Sequence, residues 1–319
     1  MTEPRRAAGH PIAILVNPRS AAARPGLTEY AERRLAPLGL CAVLTTQQRG
    51  HAADLARLAM QEHQALTVVT LGGDGTAAEA AGALVGTGAA LAPIPTGSTN
   101  VFARTIGWPM DPHEAIDHLV RVIEDGQRAD PVTIGHVAAS GQERFFIVNA
   151  GAGVDAEAAG LVERHPEWKR QVGQVWFASA TVLAAARQRR RPLIRLAIDG
   201  GTPFPMASVS VACTRPYAYF GHHAFDLIPD AGHDGALGWL GSVSPGMAGP
   251  AIAAAGAFTG AWHLDSSHVA HGVAHQSIVL ESSGGMALQA DGEPLGRHRR
   301  IVMTPATGLL VLRGDATPH

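Results

Sequence analysis

A chain of 319 residues, 46% apolar and 16% charged, has length for about two domains and apolar content for ordinary cores, which excludes a disordered chain. Its formal net charge of −2 argues against nucleic-acid binding driven by bulk positive charge, so no nucleic-acid partner is expected. Lys169 is the only lysine, so no G-K-[ST] loop exists, and any phosphate must be met by backbone amides, hydroxyls, arginine or metal. Cys41 and Cys213 stand in apolar runs without C-x-x-C spacing and read as buried thiols in a reducing compartment. The apolar run Ile12–Val16 is too short for a signal peptide. Gly246–Trp262 is mostly alanine and glycine with Pro250 inside it, and reads as packed helix rather than membrane span. A soluble, cytoplasmic protein is expected.

Pro11–Val16 reads as a short strand, followed by Asn17-Pro18-Arg19-Ser20 and an amphipathic helix over Thr28–Leu38. Leu40–Thr45 is a second strand, and a helix carrying Ala52, Leu55, Ala56 and Ala59 follows Gly50. Val68–Leu71 is a third, buried strand; it runs into Gly72-Gly73-Asp74-Gly75-Thr76 and a helix from Ala77 to Val85. Ala89–Ile94 is a fourth, leading into Thr96–Asn100, a helix from Val101 and another over His113–Glu124. Strands alternating with helices through short loops predict a parallel α/β sheet with its ligand at the carboxyl ends of the strands. Asn17–Ser20, Gly72–Thr76 and Thr96–Asn100 all stand at those ends.

After Gly126 the rhythm changes. Strands are predicted over Arg128–Val137 and Arg144–Asn149, then a hairpin of Leu193–Ile198 and Phe204–Cys213 turning at Asp199-Gly200. Further strands are expected at Leu237–Gly241, Val273–Leu280, Met286–Ala290, His298–Met303 and Leu309–Leu312, with helices around Gly173–Arg187 and Met247–Ala261. The second half is therefore a mostly antiparallel β domain, with the boundary near Gly126–Pro131.

The chemistry centres on Gly72–Thr76. Three glycines let the backbone turn sharply and bare its N–H groups, and a helix follows, so the loop can receive phosphate oxygens. A tight turn with glycines for packing alone is the plainer reading. Asp74 and Thr76 inside the loop, and the two other polar loops at the same sheet edge, tilt the balance to a nucleotide site. Asp74 also suits a cap on the helix that follows it.

G-G-D-G-T followed by P-T-G-S-T-N-V-F-A-R (Pro95–Arg104) resembles the diacylglycerol kinase-type lipid kinase catalytic family, which includes sphingosine, ceramide and bacterial lipid kinases. The resemblance continues through V-N-A-G-A-G-V-D-A (Val148–Ala156), H-D-G-A-L (His233–Leu237) and A-D-G-E (Ala290–Glu293). It implies a Rossmann-like α/β nucleotide domain with a parallel sheet, residues 1–130, to which about 304–319 return. It implies a β-sandwich lipid-substrate domain over 131–303, a cleft between the two, and transfer of the ATP γ-phosphoryl group to a lipid hydroxyl, diacylglycerol by default.

By the same resemblance Asn17, Thr46, Gly72, Gly73, Asp74, Gly75, Thr76 and Ser98, with Gly97 and Asn100, contact the nucleotide, and Asp74 meets Mg²⁺. Glu293 matches a general base for the lipid hydroxyl, with Asp74 the rival for that role. Asp234, with the carbonyls of Ala231 and Ala236, matches a structural Mg²⁺ loop in which His233 stands where a relative can carry an acid. Ser98 replaces a usual threonine; Ala78 and Val101 replace an asparagine and an aspartate. An NAD kinase-type enzyme shares the G-G-D-G-T loop, and a catalytically silent nucleotide- or lipid-binding regulator is the third reading. The expected partner is a lipid at a membrane surface, met by peripheral contact. Arg187 and Arg189–Arg191 read as a solvated basic helix end that suits the helix dipole, with contact to anionic headgroups the lesser reading in a lipid kinase. His263, His268, His271 and His275, with His222 and His223, have no metal-ligand spacing and read as solvated. Oligomeric state is not legible, and a homodimer stays open.

Overall fold

In the computed structural model, which describes residues 10–22, 26–163, 193–233 and 235–314, the apolar runs of the first half become parallel strands. The chain divides into two units, one of residues up to Val132 with Thr307 onward, the other Thr133–Ala306.

In the first unit β1 (Ile12–Val16), α1 (Leu27–Leu35), β2 (Leu40–Thr45), α2 (His51–His63), β3 (Thr67–Gly72), α3 (Asp74–Leu84) and β4 (Ala90–Pro95) alternate. The strands lie in the order β2-β1-β3-β4, and each neighbouring pair is parallel. β3, flanked on both sides, is buried along its whole length, Thr67 and Thr70 included. That is why its sequence is a continuous run rather than an alternation. α4 (Val101–Thr105) and α5 (Pro112–Glu124) follow. Asp111 caps α5, accepting from the N–H groups of His113 and Glu114 at 2.9 and 3.1 Å. Pro112, which has no N–H to lose, fills the first helical position.

Two helix bounds differ from expectation. The helix predicted to Leu38 stops at Leu35, because Pro37 cannot continue the ladder; a 3₁₀ turn over Ala36–Leu38 closes on Gly39 at φ 116°. The helix predicted from Ala77 begins at Asp74, so Asp74, Gly75 and Thr76 form its first turn rather than a free loop.

The second unit holds β5 (Asp130–Ala139, from Thr133 on), β6 (Gln142–Phe146), β7 (Asn149–Ala152) and α6 (Val154–Glu163). Then come β8 (Ile194–Ile198), β9 (Phe204–Met206), β10 (Ser208–Ala212), β11 (Ala218–Phe220), β12 (His223–Phe225) and β13 (Leu237–Ser242). α7 (Ala248–Thr259), β14 (Val269–Ala274), β15 (Ile278–Ala290) and β16 (Glu293–Val311) complete it, β16 running on into the first unit. Antiparallel pairs join β14-β13-β10-β7-β15-β16, while β8 and β9 extend from β15. Phe146, Leu196, Val209, Val211, Leu237, Leu280 and Ile301 lie in one fully buried core.

The turn predicted at Asp199-Gly200 forms between β8 and β9, both residues taking positive φ, 49° and 74°, but the strand expected over Phe204–Cys213 is two, the second, β10, pairing with β7 and β13. The strand expected over Val273–Leu280 is two strands. Its middle is a turn in which the N–H groups of His275, Gln276 and Ser277 donate to the Asp199 carboxylate at 2.7–3.0 Å. The strands expected at His298–Met303 and Leu309–Leu312 are one, β16. The β11–β12 hairpin and α6 were not expected. Cys213 is buried as anticipated, but Cys41 is exposed, since its strand alternates between a covered and an open face. The helix expected around Gly173–Arg187, and Arg187 and Arg189–Arg191, lie outside the described residues.

Candidate functional site

Gly73 and Gly97 are fixed by close approach of two loops, and Gly72 by Thr76 of its own segment. A Cβ on Gly72 would stand 2.5 Å from the Thr76 Cβ, and one on Gly97 would stand 2.5 Å from the Gly73 Cα. The loop after β3 and the loop after β4 therefore meet backbone to backbone. Gly72 O accepts from Thr96 N–H at 3.1 Å, which joins them directly. Asn100 sits in the left-handed region at φ 48°, accepts from Gly97 N–H at 2.8 Å and donates to Gly97 O at 2.9 Å. The loop after β1 joins through Asn17, whose Nδ2 donates to Thr76 Oγ1 at 2.9 Å, and through Ser20, whose Oγ accepts from Thr96 Oγ1 at 3.0 Å. The packing reading of the sequence holds for Gly72, Gly73 and Gly97, while Gly73 and Gly75 are half-exposed at the first turn of α3, where a helix leaves N–H groups without intrahelical partners.

Asp74 binds these elements electrostatically. Its Oδ2 accepts from Val101 N–H at 2.9 Å and from Thr99 Oγ1 at 3.2 Å, and its Oδ1 accepts from Phe102 N–H at 3.0 Å. It caps α4, 27 positions along the chain, rather than the helix it begins. Burial raises its pKa, against the lowering effect of those three donors. Val101 contributes a backbone N–H, which any side chain there supplies equally well. Thr46, half-buried at the end of β2, donates its N–H to Val16 O at 2.8 Å; Ser98 is exposed. Asn17, Gly72–Thr76, Gly97 and Asn100 are thus brought together in one hydrogen-bonded assembly, with Thr46 joined through β1 and Ser98 on its open side.

Glu293, at the start of β16, lies in the second unit, where the Arg144 guanidinium donates to its Oε2 at 2.6 Å. Arg144 also lines a cavity of about 350 Å³ with Val137, Ala139, Leu288, Leu295 and His298. Asp291 beside it, at φ 49°, accepts from three successive N–H groups, those of Ile147, Val148 and Asn149, at 2.9–3.0 Å. The D-G-E turn is thereby fixed to the β6–β7 segment.

The sequence missed a polar network next to this turn. One oxygen of Asp155, Oδ2, accepts from Tyr217 OH at 2.7 Å and from Gln289 Nε2 at 2.6 Å. The same Gln289 nitrogen donates to Asn149 Oδ1, and Gln289 Oε1 accepts from Gly292 N–H. Burial raises the Asp155 pKa, and burial with the nearby Asp155 carboxylate pushes the Tyr217 phenol well up. Asn149 and Asp155 fall in the V-N-A-G-A-G-V-D-A stretch, where their spacing was the available signal; Tyr217 and Gln289 had none.

Of the expected second metal loop, Asp234 lies outside the described residues. Ala231 and Ala236 are buried, and Gly235 N–H donates to Thr133 Oγ1 at 2.7 Å. The neighbouring acid Asp230 pairs with His271 at 2.9 Å. Among the described residues no group of three or more His, Cys, Asp or Glu side chains could hold a metal ion. His263, expected to be solvated, is fully buried beneath α7 and bonds Leu227 O through Nε2 at 2.9 Å. Gly256 leaves room for its ring, since a Cβ there would meet Nδ1 at 2.3 Å.

Residues 11–133, which contain the whole three-loop assembly, match the family of the diacylglycerol kinase catalytic domain. The matched segment runs from β1 to the beginning of β5. Three solved structures from Bacillus anthracis str. Sterne share the fold, each covering 97% of this chain and 99% of its own. Two are named "putative diacylglycerol kinase", at 19% and 20% identity with TM-scores of 0.73 and 0.70. A third, described as one of "diacylglycerol kinases", is at 18% and 0.65. No curated protein matches the chain.

Proposed function

We propose that the protein is an ATP- and Mg²⁺-dependent lipid kinase that phosphorylates a lipid hydroxyl, diacylglycerol by default. The observation that carries this reading is the three-loop assembly around Asp74, lying inside the segment that matches the diacylglycerol kinase catalytic domain. The first unit is read as the nucleotide-binding domain and the second as the lipid-substrate domain.

The α3 N-terminus, Asn17, Thr46 and Ser98 are assigned to the nucleotide phosphates, with Gly72, Gly73, Gly75, Thr76, Gly97 and Asn100 holding the loops in register. ATP, when bound, supplies the transferable phosphoryl group and Mg²⁺ offsets its charge. A carboxylate has about four acceptor positions, and Asp74 fills three with Val101, Phe102 and Thr99. The capacity left on Oδ1 fits a cation ligand, direct or through water. Asp74 is therefore read as a positioning and cation-facing group and Glu293 as the base. Glu293 takes the proton of the acceptor hydroxyl as its oxygen bonds to phosphorus and the bond to the departing ADP oxygen breaks. Arg144, bonded to Oε2, aims that carboxylate. The Ala231–Ala236 turn with Asp234 is read as a second, structural Mg²⁺ site.

The test is purified protein with ATP, Mg²⁺ and a panel of lipid acceptors, with NAD as a separate arm. Phosphorylated lipid is the expected product, and Glu293→Ala is expected to lower turnover by about 10²-fold or more while ATP still binds. Transfer to NAD and to no lipid overturns the reading, and near-normal turnover of Glu293→Ala moves the base to Asp74.

A further inference from the structure

α7 departs from the pattern of a surface helix. Gly249, Ala253, Gly256 and Ala257 are buried, yet Ala248, Ala251, Ala255 and Phe258 are exposed, so the outer face is as apolar as the inner one. From Val243 through Trp262 no side chain is ionisable. At the end of the helix Phe258 is 50% exposed and Trp262 48%. Phe258 packs against Phe220 and Phe225 of the β11–β12 hairpin, with ring centroids 5.4 and 4.9 Å apart. Phe225 rests in turn on the core of Tyr217, Leu227, Ile228 and Leu240, so the aromatic platform is anchored. The Trp262 indole N–H donates to Thr259 Oγ1 at 2.8 Å, which satisfies its polar end within the protein.

We propose that this face, formed by α7, Trp262 and the β11–β12 hairpin, seats the protein on a lipid bilayer. The 12 residues of α7 reach ~18 Å at the helical rise, short of the ~30 Å hydrocarbon core, so the helix lies in the interface and does not span. Entry of its outer face leaves no charge to desolvate. Aromatic rings are the side chains that settle at the headgroup level. The hairpin tip adds exposed His222 and His223, and Asp226 at its base is held by Arg215 at 2.5 Å. Asp265, exposed beyond Trp262, limits entry to the aromatic side chains themselves. A second copy of the chain is the poorer occupant: the open halves of Phe258 and Trp262, with exposed Ala248, Ala251 and Ala255, offer on the order of 400 Å², against about 800 Å² per partner in a standard stable interface.

The inference rests on the lipid-kinase reading for its purpose alone, because vesicle binding is measured without phosphoryl transfer. Full-length protein is sedimented with phosphatidylcholine–phosphatidylglycerol vesicles, and tryptophan fluorescence is read with brominated acyl chains. Wild type is expected to bind and be quenched, and Trp262→Phe to lose most of the quenching. Phe258→Ser/Trp262→Ser is expected to bind about tenfold more weakly or worse, while melting cooperatively only a few degrees below wild type and turning over a short-chain, water-soluble diacylglycerol at an unchanged rate. Phe258→Leu, which keeps the apolar volume, is expected to bind like wild type. Equal sedimentation of the double variant overturns the proposal, as does loss of binding by Phe258→Leu. A wild-type dimer that the double variant splits in ultracentrifugation also overturns it, assigning the face to a second copy. Vesicle binding lost by the double variant, with no lipid phosphorylated by either protein, upholds the surface and sinks the proposed reaction.

Discussion

Asp155 receives two hydrogen bonds on one oxygen, from Tyr217 and Gln289, with no cation in either bond. An asparagine can place its Oδ1 at that same position and keep both, while removing the buried charge. The raised pKa fixes the sign of the pH dependence. Folded protein binds the Asp155 proton more tightly than unfolded chain. Its contribution to stability is therefore full below the ordinary carboxyl value of 3.8 and is lost as pH rises through the folded-state pKa. Asp155→Asn has no such loss and is expected to be more stable than wild type at neutral pH by roughly 1–3 kcal/mol. The difference should shrink as pH falls toward 3.8. Urea midpoints of both proteins between neutral and acid pH check this, and a pH-independent difference would contradict it. At this scale the sequence shows where chemistry gathers better than why. Gly73 and Gly97 announce a special loop, but the contact that requires them joins positions distant in sequence. Asp74 reads as a cap, yet the helix it caps is identified only once two loops meet.

Elements were most legible where the cause is local. D-P-H-E gives the start of α5, because Asp111 and Pro112 act within a single turn. Asp111→Ala removes both capping bonds and should cost about 1 kcal/mol, read as a lower urea midpoint. An unchanged midpoint would mean that water replaces the cap without loss. Pro37 ends α1 by the same local logic, which a periodicity of apolar residues overrides too easily. The turn at His275–Ser277 was illegible for the opposite reason: its N–H groups are met by Asp199, on another hairpin. β11 and β12 are three residues each and carry too little pattern to stand out. α2 likewise lacks a local cap; Glu79 of α3 accepts from the N–H groups of Gly50 and Ala52 at 2.8 and 3.2 Å.

For the whole molecule, the alternation of strands and helices, then the run of strands, made the parallel and antiparallel halves legible. Periodicity could not reveal that β16 is one strand serving both units. Leu310 and Val311 pair with Ala90 and Leu91 of β4, the Trp108 indole N–H donates to Leu312 O at 2.8 Å, and Arg313 pairs with Asp130 at 2.8 Å. Leu309, Val311 and Leu312 are buried, and at ~1.5–3 kcal/mol each they rival the ~5–15 kcal/mol that holds a domain folded. A chain cut after Ala306 is expected to lose hydrogen-exchange protection in β4 and α5. Retained protection would show that β1–β4 are self-sufficient. The ribosome meets this arrangement before any assay does. When Asp130 emerges, the outer edge of β4 has no partner, and all of β5 to β15 must be synthesised before Leu310 appears. At ~5–20 residues per second the first unit waits on the order of ten seconds with an apolar edge open. If the cut chain loses that protection, folding of the first unit in the cell is completed after synthesis, and chaperone demand should track the open edge rather than the size of the protein.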